Sequence, residues 1–446
     1  MSLLTTEAVL ALAPDAASAK AAQGLLSPSG WPSLGASDAA VWGECQGSGA
    51  KPYQTQVDLA GPAFRCSCPS RKFPCKHGLA LLLMRARQPA SFGASEPPAW
   101  VAEWLGTRAE KAQKQEQKAV ERAAAPPAEA SSEAAEKRED QRWQRITAAA
   151  QDLQRWLADQ IARGLGALDD EALANWQTQA RRLVDAQAPG LGQRVLAAAA
   201  GVRRGVDWPE QTLQRLGLLQ LACEGLARRE QLPAPLQADL RTVAGWPLDR
   251  ADVLEQGERV LDRWTVLGAI SEERDDKLTE RRVWLQGERS GRRAWLLDHA
   301  FGGRGFEQAW LVGTSVETAL AFFPGAAALR AIAAEPLSAT GPTRWPETTT
   351  ETEWQAVAQR FAANPWTSLH PMVLADAVPM RQRDNVAVVT AGRALPMDLP
   401  DAEAWTLLAI AGGRPLRLMG EWDGRAFAPL SACGPDGAIT WLRRSA

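Results

Sequence analysis

The sequence predicts a multidomain α+β protein whose three parts differ in the spacing of their apolar residues. Near the N-terminus a period-two pattern changes to a short helical pattern, which is typical of a small strand-strand-helix (ββα) module. A longer helical pattern fills the middle of the chain. Short strand patterns separated by turns follow it, and they predict a strand-rich α+β region at the C-terminal end.

Length and composition agree with several globular domains. The 446 residues leave room for about three domains that each bury a core. The hydrophobic fraction of 46% and the charged fraction of 23% exclude collagen-like, wholly disordered and membrane-embedded proteins. The net charge is −2, so the whole molecule lacks the basic field that is usual in a dedicated nucleic-acid-binding protein.

The N-terminal part divides into two predicted segments. Residues 1–40 begin with an Ala-rich amphipathic pattern and predict a helical segment followed by a loop. Residues 41–92 predict the ββα module, because apolar and polar side chains alternate over residues 53–59 and a helical pattern follows over residues 75–87. Pro89 is expected to end that helix.

The segment between Thr107 and Arg142 has the composition of a linker. It contains no Leu, Ile, Phe, Tyr or Trp, and it holds eight basic and eight acidic residues. Such a segment cannot build an apolar core. Residues 107–142 are therefore predicted to form a charged, Ala-rich and partly helical linker.

Residues 143–250 show helical periodicity and predict a helical domain. Asp169 is a candidate N-cap of one helix, which Pro189-Gly190 would end, and another helix is expected to follow Pro209. The connections are short, so the pattern indicates antiparallel helices in a bundle or a short helical stack.

Residues 260–446 predict an α+β, strand-rich domain. Two helices interrupt the strand patterns, and Thr350 and Asp401 are their candidate N-caps. Asp423-Gly424 and Asp436-Gly437 are expected to join successive strands of a meander near the end of the chain.

The sequence carries no sign of export or of membrane insertion. No basic stretch precedes the first apolar residues, so we expect no signal peptide. The apolar run between Glu317 and Arg330 has twelve residues, whereas a membrane span needs about 20. Six cysteines in 446 residues are too few for a secreted disulfide scaffold. We therefore expect a cytoplasmic protein that does not interact with a membrane.

Four residues with metal-ligating side chains fall within twelve positions: Cys66, Cys68, Cys75 and His77, in the pattern C-x-C-x6-C-x-H. Side chains at i and i+2 of an extended chain point to the same side, so Cys66 and Cys68 can face one ion. Pro69 and Pro74 bracket a turn that would bring Cys75 and His77 back to it at the start of a helix. The pattern predicts one structural Zn²⁺ in a closed Cys3His site.

The residues around this cluster are strongly basic. No acidic residue occurs between Asp58 and Glu96, and six cations lie in that interval: Arg65, Arg71, Lys72, Lys76, Arg85 and Arg87. Because the whole chain carries −2, the remainder carries −8 when these six are set apart. We predict that these six residues contact an acidic partner.

Other interpretations of the cysteines and histidines are weaker. The four clustered residues could be buried core side chains, but their spacing makes this improbable. A nucleophilic pair of Cys75 and His77 would diverge at a helix start and has no third residue to orient it. Cys45 is either a spare buried thiol or a residue near the zinc. Cys223 and Cys433 indicate core positions, and His299 and His370 indicate structural or surface residues.

No catalytic pattern emerges elsewhere in the sequence. The glycine-rich residues 302–305 do not form the strand-loop-helix pattern that binds phosphates. The acidic residues 272–276 are interpreted as a solvated hairpin loop rather than as paired catalytic carboxylates. The sequence therefore predicts that the protein is not an enzyme.

Residues 42–49 (WGECQGSG), the strand that ends at Leu59, and residues 66–77 (CSCPSRKFPCKH) resemble the SWIM zinc finger in its bacterial form. The resemblance is specific over residues 41–87. It implies zinc binding by the Cys3His cluster and a module that binds DNA or other proteins. It also implies association with MoxR-type AAA+ ATPases and with von Willebrand factor A domain proteins.

Two functions follow from these observations. The first is a non-enzymatic, zinc-binding interaction protein whose basic module contacts DNA or an acidic protein surface. The second is an adaptor or scaffold in a protein-remodelling system of the MoxR and von Willebrand factor A kind. In that case the Trp-rich helical region would engage the partner.

Overall fold

The computed structural model describes residues 6–444 apart from 11, 15, 48, 50, 60–62, 71, 109, 111–128, 247, 276–277, 302–305, 307, 336, 343–344, 383–384 and 435–436. It confirms a multidomain α+β architecture, with a small zinc finger module near the N-terminus, a helical middle region and a strand-rich C-terminal region. The described residues contain three β-sheets.

The first sheet has the strand order β4-β3-β2-β1-β5, and all its pairs are antiparallel except β1-β5. Its strands are β1 (Ser33–Ala36), β2 (Ala40–Cys45), β3 (Tyr53–Asp58), β4 (Ala63–Cys66) and β5 (Gly93–Ala94). Helices α1 (Thr6–Leu10) and α2 (Ala16–Gln23) precede the sheet, and α3 (Lys76–Arg87) follows β4. The sheet therefore has five strands, three more than the predicted ββα unit.

Helix α3 is the centre of this module. Eight consecutive residues, from His77 to Met84, are buried. A helix that is buried all round needs a partner on each side. The sheet covers one side of α3, and α1 and α2 cover the other. The segment 1–40 thus supplies part of the layer that closes the module.

A helix over residues 99–108 (α4) follows, and Arg108 forms an ion pair of 3.2 Å with Asp58 of β3. Most of the predicted linker lies outside the described residues. The next helix, α5 (Glu129–Arg163), begins inside the predicted linker, residues 107–142. Ala, Glu, Lys and Arg are good helix formers, so this composition is compatible with a helix that needs no core of its own.

The middle region consists of packed helices: α5, α6 (Asp170–Asp185), α7 (Pro189–Gly201), α8 (Trp208–Ala227), α9 (Ala234–Val243) and α10 (Arg250–Gln256). Asp169 caps α6 as predicted, and its Oδ1 accepts a hydrogen bond of 2.8 Å from the Ala172 amide. The prediction that Pro189-Gly190 ends this helix is wrong, because α6 already ends at Asp185 and Pro189 is the first residue of α7. Trp176 is fully buried, and its Nε1 donates to Gln160 Oε1 at 3.0 Å.

The C-terminal region contains two sheets that share an apolar core. The first has the order β10-β9-β6-β7-β8, with β11 also paired to β9, and the second has the order β14-β13-β12-β15-β16-β17. The first comprises β6 (Arg259–Asp275), β7 (Leu278–Gly287), β8 (Arg293–Phe301), β9 (Thr314–Phe322), β10 (Ala331–Ala333) and β11 (Ser338–Pro342). The second comprises β12 (His370–Gln382), β13 (Asn385–Thr390), β14 (Arg393–Pro396), β15 (Leu416–Trp422), β16 (Phe427–Cys433) and β17 (Ile439–Leu442).

Helices α11 (Thr350–Ala363) and α12 (Asp401–Ala411) interrupt these strands where the sequence places them. Both predicted caps are wrong by one residue. Thr349 caps α11 through a hydrogen bond of 3.1 Å from the Thr352 amide to its Oγ1, and Pro400 occupies the cap position of α12. Consecutive Thr residues offer the same hydroxyl, so residue type alone does not identify the cap.

A buried ion pair joins the two C-terminal sheets. Arg282 of β7 donates to both carboxylate oxygens of Glu421 of β15, at 3.0 and 3.1 Å. Trp284 Nε1 also donates to Glu421, at 2.7 Å. Arg282 further pairs with Glu272 at 3.2 Å. The hairpin predicted near Glu272 is present, since β6 and β7 pair as antiparallel neighbours. The Glu272 carboxylate, however, belongs to an ion-pair network and not to a fully solvated loop.

The three regions are in contact. Leu311, from the segment between β8 and β9, packs in the core of the zinc finger module, and α1 contacts β17. The helical region meets the C-terminal sheets through Trp366, whose Nε1 donates to the Leu218 carbonyl at 3.0 Å. Among the described residues, no helix has both the length and the apolar character that crossing a membrane requires.

Candidate metal centre

The side chains of Cys66, Cys68, Cys75 and His77 meet at one point, and their ligand atoms all lie within 4.8 Å of one another. Zn–S bonds of ~2.3 Å and a Zn–N bond of ~2.0 Å place the ligand atoms of a tetrahedral site about 3.5 to 3.8 Å apart. Cys66 Sγ is 3.8 Å from His77 Nδ1. Three sulfurs and one imidazole are also the ligands of many structural zinc sites. The group can therefore bind one metal ion.

The secondary structure brings the ligands together in the predicted way. Cys66 is the last residue of β4, and Cys68 follows in the loop. Cys75 is the N-cap of α3, where its Sγ accepts from the Gly78 amide at 3.5 Å, and His77 lies in the first turn. An ion at this point would join the end of the sheet to the start of the helix.

Neighbouring side chains support the cluster. Thr55 lies opposite Cys66 in the β3-β4 register, and its Oγ1 is 3.1 Å from Cys66 Sγ. The Tyr53 ring packs on the His77 ring with centroids 5.0 Å apart. A Cβ at Gly78 would lie 2.9 Å from the Phe64 ring, so glycine allows α3 to approach β4 closely. The period-two pattern predicts that Tyr53 and Thr55 share a face, but sequence reasoning did not place them beside the cluster.

Among the thiols of this cluster, Cys66 ionises most readily. The hydrogen bond from Cys75, followed by those from His77 and Thr55, lowers the pKa of Cys66 to about 4, although burial opposes this effect. The same hydrogen bond raises the pKa of Cys75. A thiolate is the form that binds zinc, and a divalent cation favours ionisation of every thiol that coordinates it.

Cys45 lies close to the cluster but outside it. It is buried on β2. Burial is the main cause that raises the pKa of its thiol, and the negative charge of Cys66 is the second. Cys45 is not part of the four-residue group that could hold an ion. Cys45 is therefore a buried thiol beside the cluster and does not belong to its set of ligand atoms.

The structure divides the predicted partner-contact residues into two groups. Arg65, Lys72 and Lys76 are exposed and lie next to or between the ligands in the sequence. Arg65 is on β4, Lys72 is on the loop that joins β4 to α3 (the ligand loop), and Lys76 is the first residue of α3. Arg85 and Arg87 lie near the other end of α3, about 14 Å or more along the helix from Lys76. Arg71 is outside the described residues.

The distal pair contacts its own module. The Arg85 guanidinium lies over the Phe92 ring at 5.9 Å, and Arg87 Nε donates to Thr6 Oγ1 of α1 at 3.1 Å. Sequence reasoning treats all six cations as one surface, because it cannot show which of them the N-terminal helices cover. Arg87 nevertheless stays exposed, whereas Arg85 is only partly exposed.

The remaining cysteines and histidines lie apart from the centre. Cys223 and Cys433 are fully buried core residues, as predicted. His370 is buried in β12, and burial lowers its pKa. His299 is half exposed, with Nε2 3.6 Å from Glu280. The glycine-rich residues 302–305 lie outside the described residues.

Two family models match the chain. The model of the SWIM zinc finger matches residues 53–86, and that of the SWIM-associated four-helix bundle domain matches residues 141–244. The first match spans the Cys3His cluster and identifies zinc as its ion. The second covers the later part of α5 and the whole of α6 to α9. Neither the curated proteins nor the solved structures yielded a match.

Proposed function

We propose that this SWIM zinc finger domain-containing protein is a non-enzymatic interaction protein of the cytoplasm. Its basic module would bind an acidic macromolecule, either DNA or a protein surface. Both matched domains are of typically non-catalytic kinds. Protein side chains supply all four ligands of the metal group, so the ion keeps no open position for a reacting water.

The observation that carries the proposal is the set of exposed cations around the metal centre. Arg65, Lys72 and Lys76 are exposed, and the stretch 59–95 in which they occur contains no acidic residue. Zn²⁺ with three thiolates and a neutral imidazole carries only −1, so the local field stays positive. The ion would hold β4, the ligand loop and α3 in one arrangement and thereby fix the positions of these three cations.

Reversing the charge of Arg65 and Lys76 tests the proposal. The R65E/K76E variant should bind an acidic partner at least tenfold more weakly, because two attractive charges become repulsive. For a DNA partner, each lost phosphate contact should reduce the slope of log K against log[salt] by about 0.9. Fluorescence anisotropy with a labelled duplex, and with an acidic protein as the second probe, measures both quantities.

The matched control is R181E/R393E, which changes two exposed arginines outside the zinc finger module by the same charge. It should bind within about twofold of the unchanged protein. The zinc content and thermal unfolding of R65E/K76E should stay unchanged, because neither side chain belongs to the metal group. Unaltered binding by a folded, zinc-loaded R65E/K76E protein would overturn the proposal.

A second candidate function is an adaptor that engages a MoxR-type ATPase or a von Willebrand factor A domain protein. Large apolar side chains on the helical region favour protein contacts there, since six described ones are substantially exposed: Ile161, Val184, Leu196, Val206, Leu213 and Leu221. Affinity capture with and without nuclease separates the two functions. A protein partner retained after nuclease treatment supports the adaptor, and its loss supports nucleic-acid binding.

A further inference from the structure

A cleft of about 650 Å³ opens directly beside the metal centre. One wall is formed by Ala17, Ser18 and Ala21 of helix α2 and by Leu25, two residues beyond its end. The ligand loop and the first residues of α3 form the facing wall, where Lys72 and Lys76 lie. The volume is in the range of pockets that enclose a ligand, about 300 to 1,000 Å³.

The two walls differ in chemistry. The α2 wall is mainly apolar and includes Ser18, whereas the facing wall carries two exposed lysines. Among the described residues that line the cleft, none is acidic. Helix α3 starts at this wall with Lys76 and His77, so the positive end of its dipole adds to the charge of the lysines. An occupant must therefore offer negative charge on one side and apolar surface on the other.

An extended peptide meets this requirement. Successive side chains of an extended chain point to opposite sides, so alternating acidic and apolar residues would face the lysines and α2 respectively. A DNA duplex fits less well, because it is a convex rod with its phosphates on the outside and presents no apolar group that could enter between α2 and the ligand loop.

We propose that this cleft binds an extended segment of a partner protein in which acidic and apolar residues alternate. Carboxylates of the segment pair with Lys72 and Lys76, and its apolar side chains pack on Ala17, Ala21 and Leu25. The inference rests on the proposed function and assigns it a site and a partner class. Cys68 and His77 also line the cleft, so zinc binding shapes the wall that carries the lysines.

The test uses the zinc-loaded full chain and a fluorescein-labelled peptide of four Asp-Leu repeats. The neutral probe has four Asn-Leu repeats, and a labelled single-stranded dT20 represents nucleic acid. The A21W substitution fills the cleft from an exposed position of α2 without changing any charge. The Q23W substitution adds the same side chain to an exposed position of α2 that does not line the cleft.

We expect the Asp-Leu peptide to bind at least tenfold more tightly than the Asn-Leu peptide. A21W should weaken this binding at least tenfold, and Q23W should leave it within about twofold. Equal binding of the two peptides, or equal binding by A21W and Q23W, would overturn the assignment. The assignment would also be overturned if the Asp-Leu peptide failed to bind and dT20 bound in a way that A21W abolishes.

The charge-reversal variant distinguishes failure of this inference from failure of the proposed function. Arg65 does not line the cleft. If R65E/K76E loses an acidic partner that A21W still binds, the basic surface functions and the cleft assignment is wrong. If neither variant affects any acidic partner, the proposed function itself is wrong.

Discussion

C68S and H77A variants are expected to lose zinc and to unfold the module around α3, while the helical and C-terminal regions stay folded. Binding of a structural zinc is worth an apparent ~10 to 16 kcal/mol in small zinc domains. Whole domains are stable by only ~5 to 15 kcal/mol. Loss of one ligand therefore removes a large part of the free energy that holds β4 and the start of α3 together.

The contacts between regions refine this expectation. Leu311 packs in the module and α1 contacts β17, so unfolding of the module should uncover a small apolar area of the C-terminal region. Segment-resolved hydrogen exchange measures the result. Protection should fall strongly over residues 40–92, fall slightly near Leu311 and β17, and stay unchanged from α6 to α9.

The C45A variant is the matched control, because it removes a buried cysteine of the same module that lies outside the four-residue group. It should retain one zinc and the protection of α3, apart from the moderate cost of a small cavity. If C68S and C45A had the same zinc content and protection, Cys68 would not be a ligand.

R282A is expected to destabilise the C-terminal region by about 3 to 5 kcal/mol, because it leaves Glu421 buried without its charge partner. The Trp284 indole would then be one of the few remaining donors to that carboxylate. Urea unfolding followed by the signals of the C-terminal region measures the change.

R274A is the control for this prediction. Arg274 belongs to the same network through Glu280, at 2.7 Å, but its side chain is 49% exposed. Exposed ion pairs contribute about 0 to 1 kcal/mol, so R274A should have a small effect. A cost below ~1 kcal/mol for R282A as well would contradict the interpretation that this ion pair holds the two sheets together.

The metal cluster could be predicted from the sequence because its geometry is local. Two ligands lie at the end of a strand and two at the start of the next helix. The turn between these elements is enough to bring all four together. The caps of α6, α11 and α12 were located within one residue for the same reason. Such features depend on neighbours along the chain, so the residue types locate them to within about one position.

The cleft could not be predicted, because it forms between segments distant in sequence. The pattern over residues 75–87 indicates one apolar face, whereas Ala80, Leu81 and Met84 on its other side are equally buried. These residues are buried because α1 and α2 cover the side of α3 that the sheet leaves open. The sequence pattern of α3 alone does not show this cover. The division of the five described cations into two groups follows from the same packing.

Helix α5 shows the opposite difficulty. Its first two turns have the composition of a solvated linker, and charged Ala-rich segments form helices or linkers with similar ease. The helix continues into residues such as Ile146 and Leu153 that are fully buried in the bundle. Tertiary packing of that later part, rather than local composition, determines the structure of the segment before it.

The metal content of the purified full chain tests the central claim most directly. Inductively coupled plasma mass spectrometry should find one zinc per chain in the unchanged protein, and essentially none in C68S or H77A. The ion should leave with a strong chelator, together with the hydrogen-exchange protection of α3. A zinc-free protein in which α3 remains fully protected would contradict the account.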